Sequence, residues 1–273
     1  MSVRKEDCDF YLWTSKTPPI KNVIELLRNF LSEGRLRCST DGIRLTEVDT
    51  KKIAVIQMYL KGDVFEEYYC NCKKDKYIDI GLNIEELFKH SKSIDNTDTL
   101  KLFIKKGKSN KFGIETYCKE ENNRFTVYLN TIDINDNKYK LPDTTYKNTI
   151  TMSSTRFHKI CKNFDGSTSK IEIRCSGSEV IFKVPGNAGD EMENCIKPHK
   201  SDKDSNIVSK SKDVHQGVFK SRYLLLFAKC SDLNNLIEIN ISNDKPIILK
   251  SNVASLGYVR LCLAQCDEED EEN

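Results

Sequence analysis

Tyr139-Lys140-Leu141-Pro142-Asp143-Thr144-Thr145-Tyr146 lies almost midway along a chain of 273 residues, and the segments on either side of it repeat one plan. Before it, residues 9–16 alternate and carry Phe10, Tyr11 and Trp13, the pattern of a strand. Thr17-Pro18-Pro19 then supplies a capping residue followed by proline, and Ile20, Val23, Ile24, Leu27, Phe30 and Leu31 recur at helical spacing over 19–31. A hairpin is expected around Thr40-Asp41-Gly42, with further strands at 52–59, 68–72 and 77–82. A helix at 84–93 and a three-strand meander at 99–104, 112–118 and 125–130 complete this half. Lys105-Lys106-Gly107-Lys108 reads as a solvated tip.

After the connector the plan returns. A strand at 150–152 leads to a helix at 154–164, capped by Ser153 or Ser154, with Phe157, Ile160, Cys161 and Phe164 on one side. A hairpin follows at 170–175 and 180–184, then a polar stretch at 197–212 that reads as a mobile loop. The half ends with a helix at 220–230 and strands at 236–241, 247–251 and 258–263. Short matches support a duplication. Arg28-Asn29-Phe30 is answered by Lys162-Asn163-Phe164 at an offset of 134, Leu36-Arg37-Cys38-Ser39 by Ile173-Arg174-Cys175-Ser176 at 137, and Leu87-Phe88 by Leu226-Phe227 at 139. The division predicted is a first domain over 1–130, a connector over 131–146, a second domain over 147–266 and an acidic tail over 267–273.

Composition narrows the function. Charged residues make up 31% and no apolar run approaches the ~20 residues of a membrane span, so a soluble protein with no membrane partner is expected. The first eight residues lack the apolar core of a signal peptide, which points to an intracellular protein. Eleven cysteines are scattered, and the close pair Cys70-x-Cys72 would share one strand face. With four histidines outside ligand spacing, the reading is buried reduced thiols and no metal. No cofactor is implied, because no phosphate loop, nucleophile–base motif or paired-acid site stands out. His90 and His158, within basic helices, read as surface residues rather than catalysts.

The four predicted helices hold ten basic residues against three acids, whereas the rest of the chain holds 33 against 38. One reading is ordinary solvated helix faces. The other is a common basic face turned toward a polyanion, suited to sequence-independent phosphate contact.

Several stretches resemble the sliding clamps of the proliferating cell nuclear antigen (PCNA) type. They are Asp41-Gly42-Ile43-Arg44-Leu45-Thr46-Glu47-Val48-Asp49 with Val55-Ile56-Gln57; Leu141 to Tyr146; Ser221-Arg222-Tyr223-Leu224 with Phe227-Ala228-Lys229; and Leu256-Gly257-Tyr258-Val259-Arg260 with Leu263-Ala264. The resemblance spans about 260 residues. It implies an α+β fold of two similar clamp domains, sheets outside and helices inside, closing as a homotrimeric ring around double-stranded DNA. The strand near 124–130 of one subunit would pair with 188–197 of the next. The implied function is that of a DNA polymerase processivity factor, with polymerase, clamp loader and clamp-binding peptides as partners, in the nucleus or at a cytoplasmic viral replication site. An alternative is a monomeric or heteromeric clamp-like factor that closes no ring.

Carried over residue by residue, the resemblance implies DNA contacts from Lys21, Arg28, Lys89, Lys92, Lys159, Lys162, Arg222 and Lys229. Asn22 replaces a usual lysine. It implies a partner-peptide pocket of Val48, Ile53, Val55, Leu141, Pro142, Tyr146, Pro246 and Ala264. Gln265-Cys266 stands where the family usually shows proline and another residue, and Gly177 where many members carry a lysine that accepts ubiquitin.

Overall fold

The computed structural model describes residues 2–73, 76–134, 145–164, 169–177, 179–185, 191–197, 206–209 and 213–266. It divides into two units. The first is Met1–Thr50, Ile56–Tyr139 and Val253–Val259; the second is Lys51–Val55, Lys140–Asn252 and Arg260–Asn273.

The first unit runs β1 (Cys8–Thr14), α1 (Thr17–Arg28), β2 (Glu33–Ser39), β3 (Gly42–Val48), β4 (Ala54–Lys61), β5 (Glu67–Cys70), β6 (Ile78–Asn83), α2 (Ile84–Lys92), β7 (Thr99–Lys105), β8 (Lys111–Cys118) and β9 (Asn123–Asn130). One sheet has the order β5-β1-β7-β8-β9, and β4-β3-β2-β6 run side by side in another. The β2–β3 hairpin turns at Thr40-Asp41, with Ser39 facing Gly42. Gly42 has φ +146°, and a Cβ there would meet the Leu60 carbonyl oxygen at 2.1 Å, so only glycine fits.

The second unit runs β10 (Asn148–Ser153), α3 (Ser154–Asn163), β11 (Lys170–Ser176), β12 (Glu179–Pro185), β13 (Glu191–Ile196), β14 (Asn206–Ser209), β15 (His215–Lys220), α4 (Ser221–Ala228), β16 (Leu236–Ile241), β17 (Ile247–Val253) and β18 (Gly257–Leu263). Its strands lie in the orders β14-β10-β16-β17-β18 and β13-β12-β11-β15. Each order matches one of the first unit, strand for strand: β5 with β14, β1 with β10, β2 with β11. The duplication read in the sequence is therefore a duplication of topology.

Both cores follow from periodicity. In the first unit Phe10, Leu12, Leu102, Ile104, Phe112 and Ile114 share one buried sheet face, and Ile20, Val23, Ile24 and Leu27 form the buried stripe of α1. In the second, Phe157 of α3 packs edge-on to Phe182 of β12, and Phe219 and Phe227 are also fully buried.

Four expectations need correction. The polar stretch 197–212 contains β14, which pairs along β10. β14 is only four residues long, Asn-Ile-Val-Ser, too short for alternation to show within a polar run. β15 also escaped the sequence reading: His215 and Phe219 are buried with Gly217 between them, and the glycine breaks the apolar alternation. Thr17 is the first residue of α1 and not its cap, because its hydroxyl donates to the carbonyls of Asn96 and Asp98 instead. β5 ends at Cys70, so Cys72 does not share its face. The tip after β7 is exposed at Lys106, Gly107 and Lys108, as expected, and Lys106 is also tied down there, its amide donating to Asp7 O at 3.0 Å and its ammonium to Glu6 O at 2.6 Å.

Candidate functional site

The basic side chains stand on four short helices. α2 is capped by Asn83, whose side chain accepts from Glu86 N at 2.9 Å, and α3 by Ser153, which accepts from Arg156 N at 3.2 Å. Glu85 and Glu86 open α2, and Lys89, His90 and Lys92 close it, the order the helix dipole favours. Within the first unit α1 packs against α2, and within the second α3 packs against α4. The apolar stripes bury inward, which leaves the cations on the other faces: Arg28, Lys89, Lys92, Lys159, Lys162, Arg222 and Lys229 are exposed. α4 ends at Ala228, so Lys229 stands on the 3-10 turn that follows.

The two helix pairs differ in how free these charges are. Lys21 is half-buried, and its ammonium donates to the Ile94 carbonyl and weakly to Asn96 Oδ1. Arg28 meets Glu85 at 2.6 Å and lies 4.3 Å over the Phe88 ring. Among the described residues, Lys89, Lys92, Lys159, Lys162, Arg222 and Lys229 have no acidic partner. Six cations on three helices and the turn after α4 are thus available for an anionic ligand.

The proposed pocket residues divide as well. Tyr146 is buried, and its hydroxyl donates to Pro246 O at 2.9 Å. Ala264 N donates to Ile53 O at 3.0 Å. So Tyr146 joins Pro246, and Ala264 joins Ile53, within the second unit, where Val55 is also half-buried. Val48 belongs to the first unit, at the end of β3. Leu141 and Pro142 lie outside the described residues.

Sequence reasoning missed two neighbours. The Lys245 ammonium lies 5.9 Å over the Tyr146 ring and donates to Thr145 O, while Gln265 Nε2 donates to Lys245 O at 2.9 Å. Gln265 thus braces a backbone where the family usually has proline. The signal available beforehand was its departure from that pattern.

The buried thiols carry no chemistry at neutral pH. Burial pushes Cys161 of α3 up to about 12 and Cys175 and Cys262 up to about 11, so each stays protonated and unreactive.

Residues 15–138 match the family model described as "Proliferating cell nuclear antigen, N-terminal domain", and residues 140–266 match "Proliferating cell nuclear antigen, C-terminal domain". A curated relative, "Probable DNA polymerase sliding clamp" of Acanthamoeba polyphaga mimivirus, is 30% identical over 233 residues, which is 84% of this chain and 48% of the relative. The chain therefore spans about half the length of that relative. Among solved structures, the proliferating cellular nuclear antigen of Entamoeba histolytica superposes with a TM-score of 0.84 at 24% identity, covering 95% of this chain and all of the other.

Proposed function

The chain belongs to the proliferating cell nuclear antigen family, and from that premise we propose that it is a sliding clamp and polymerase processivity factor. Members of this family are non-enzymatic scaffolds. The observation that carries the reading is the set of six exposed cations, without acidic partners among the described residues, on the helix pairs of a duplicated fold. Such contacts are weak and interchangeable, so they hold a duplex without fixing a position along it.

Retention then comes from ring closure. Three copies would meet edge to edge, β9 of one against β13 of the next. Both are terminal strands of their sheets, whose open backbone groups call for a partner. DNA contact is assigned to Lys89, Lys92, Lys159, Lys162, Arg222 and Lys229, with Lys21 and Arg28 in a secondary part. A partner peptide from a polymerase or other replication protein is assigned to the surface of Ile53, Val55, Tyr146, Pro246 and Ala264 in the second unit, with Leu141 and Pro142 assigned to it from the sequence. Tethering through that surface raises the polymerase's effective concentration at the primer end. A clamp loader would open and close the ring, at a nuclear or a cytoplasmic viral site of replication.

Native mass across concentration, together with primer extension on a circular template, tests the proposal. A trimer that lengthens polymerase products is expected. Charge reversal at Lys89, Lys159 and Arg222 should abolish the lengthening while the fold stays intact. A chain that remains a monomer at every concentration, or reversal that leaves product length unchanged, defeats it.

A further inference from the structure

Residues Ser2–Asp7 form a strap across the sheet face opposite the one that buries Phe10 and Leu12. That face is unusually apolar for a surface. Tyr11 of β1 stands between Tyr69 of β5 and Phe103 of β7, and Phe103 stands opposite Gly113, which faces Tyr128 of β9. Gly113 lets the Phe103 ring lie over β8, since a Cβ there would fall 2.3 Å from the ring. The Tyr128 ring meets Phe103 edge-on at 5.9 Å. Val3 closes over Cys8, Tyr11 and Phe103 and is itself 8% exposed. Lys106 fastens the far end of the strap at Glu6 and Asp7.

The polar anchor is Glu115 of β8, whose side chain is 3% exposed. It accepts from Ser2 Oγ at 2.7 Å and from Val3 N at 3.4 Å. It also faces Lys101 Nζ at 3.3 Å and Arg124 Nε at 3.6 Å. Lys101 in turn donates to Ser2 Oγ at 2.6 Å. Arg124 belongs to β9, the terminal strand, and stands on the same face as Glu115 and Tyr128. One buried carboxylate therefore links the strap to the open edge of the sheet.

β13, a terminal strand of another sheet, carries acids. On β13, Glu191, Glu193 and Cys195 alternate on the exposed side, with Glu191 bridged to Lys183 at 2.9 Å. We infer that Glu115, locked by the strap, is a positioning residue for self-assembly: it holds Arg124 of β9 ready to meet Glu193 on β13 of a second copy. An arginine fixed in place loses less freedom on pairing than a free one, so the strap strengthens the contact without touching the partner. This inference rests on the ring reading.

Sedimentation of the full chain across concentration tests it, alongside hydrogen exchange of the β9 amides. Ser2→Ala and Glu115→Gln should raise the subunit dissociation concentration, the second by about fivefold, as loss of one cross-strand charge pair would. Both should speed exchange in β9 while β1 stays protected. Arg124→Gln and Glu193→Gln should each weaken assembly, and the two together should weaken it no further than either alone, as one shared pair requires. If wild type assembles and Ser2→Ala and Glu115→Gln change neither readout, or if the losses from Arg124→Gln and Glu193→Gln simply add, the inference falls and the ring stands. If wild type never assembles, both fall.

Discussion

The two helix pairs occupy equivalent places in a duplicated fold, yet they spend their charge differently. In the first unit, α1 turns its cations toward its own chain: Lys21 on the Ile94 carbonyl, Arg28 on Glu85 and Phe88. In the second, Lys159, Lys162, Arg222 and Lys229 have no acidic partner among the described residues. A count of the eight candidate DNA-contact residues would weigh the two units alike, four in each. Geometry gives the second unit more free charge, and it teaches that a helix's formal charge overstates what it offers a ligand.

The most decisive way to break this comparison is charge reversal by unit. Glutamate at Lys159, Lys162, Arg222 and Lys229 should flatten the salt dependence of duplex binding by about 0.9 in log–log slope for each phosphate no longer neutralised. The same change at Lys21, Arg28, Lys89 and Lys92 should flatten it less, because two of those four are already engaged. Titration of a short duplex at several salt concentrations measures both. Equal losses would erase the distinction between the units.

A second prediction separates two surfaces of the second unit. Leu141→Ala with Pro142→Ala should weaken a clamp-binding peptide by more than about 1 kcal/mol, the usual mark of a central anchor. Tyr146→Phe should cost about 0.5–1.5 kcal/mol of stability through the lost bond to Pro246 O. Neither should alter the salt slope of DNA binding. Peptide titration, thermal unfolding and the duplex titration together check this, and a changed slope would mean that the two surfaces are coupled.

Local signals read well from the sequence, and distant ones did not. The apolar stripes of α1 and α3, the Ser153 cap and the Asp41-Gly42 turn all lie within a few residues of their cause. The paired strand orders were also foreshadowed, by Arg28-Asn29-Phe30 and its echo at Lys162-Asn163-Phe164. β14 was lost because it is four residues long inside a run of Lys, Ser and Asp, and its counterpart β5 was found because Tyr68, Tyr69 and Cys70 announce a strand. Thr17 looked like a cap because nothing local shows that its hydroxyl faces Asp98. The site suffered most. Arg28 reaches Glu85 across 57 positions and Lys21 reaches Ile94 across 73, separations at which spacing rules are silent.

The smallest expected effect tests the cause of the asymmetry directly. Glu85→Gln removes the acid that occupies Arg28 and leaves its stacking over Phe88. The pair is exposed, 41% and 60% for the two side chains, so solvent screens it and the fold should lose no more than about 0.5 kcal/mol. The guanidinium keeps its place on the Phe88 ring and becomes available to phosphate. The salt slope should then steepen by up to about 0.9 for each further phosphate neutralised, moving the first unit toward the second. Thermal unfolding and the duplex titration read the two effects separately. If stability holds and the slope does not move, Arg28 faces no phosphate, and the first unit's share of the DNA contact rests on Lys89 and Lys92 alone.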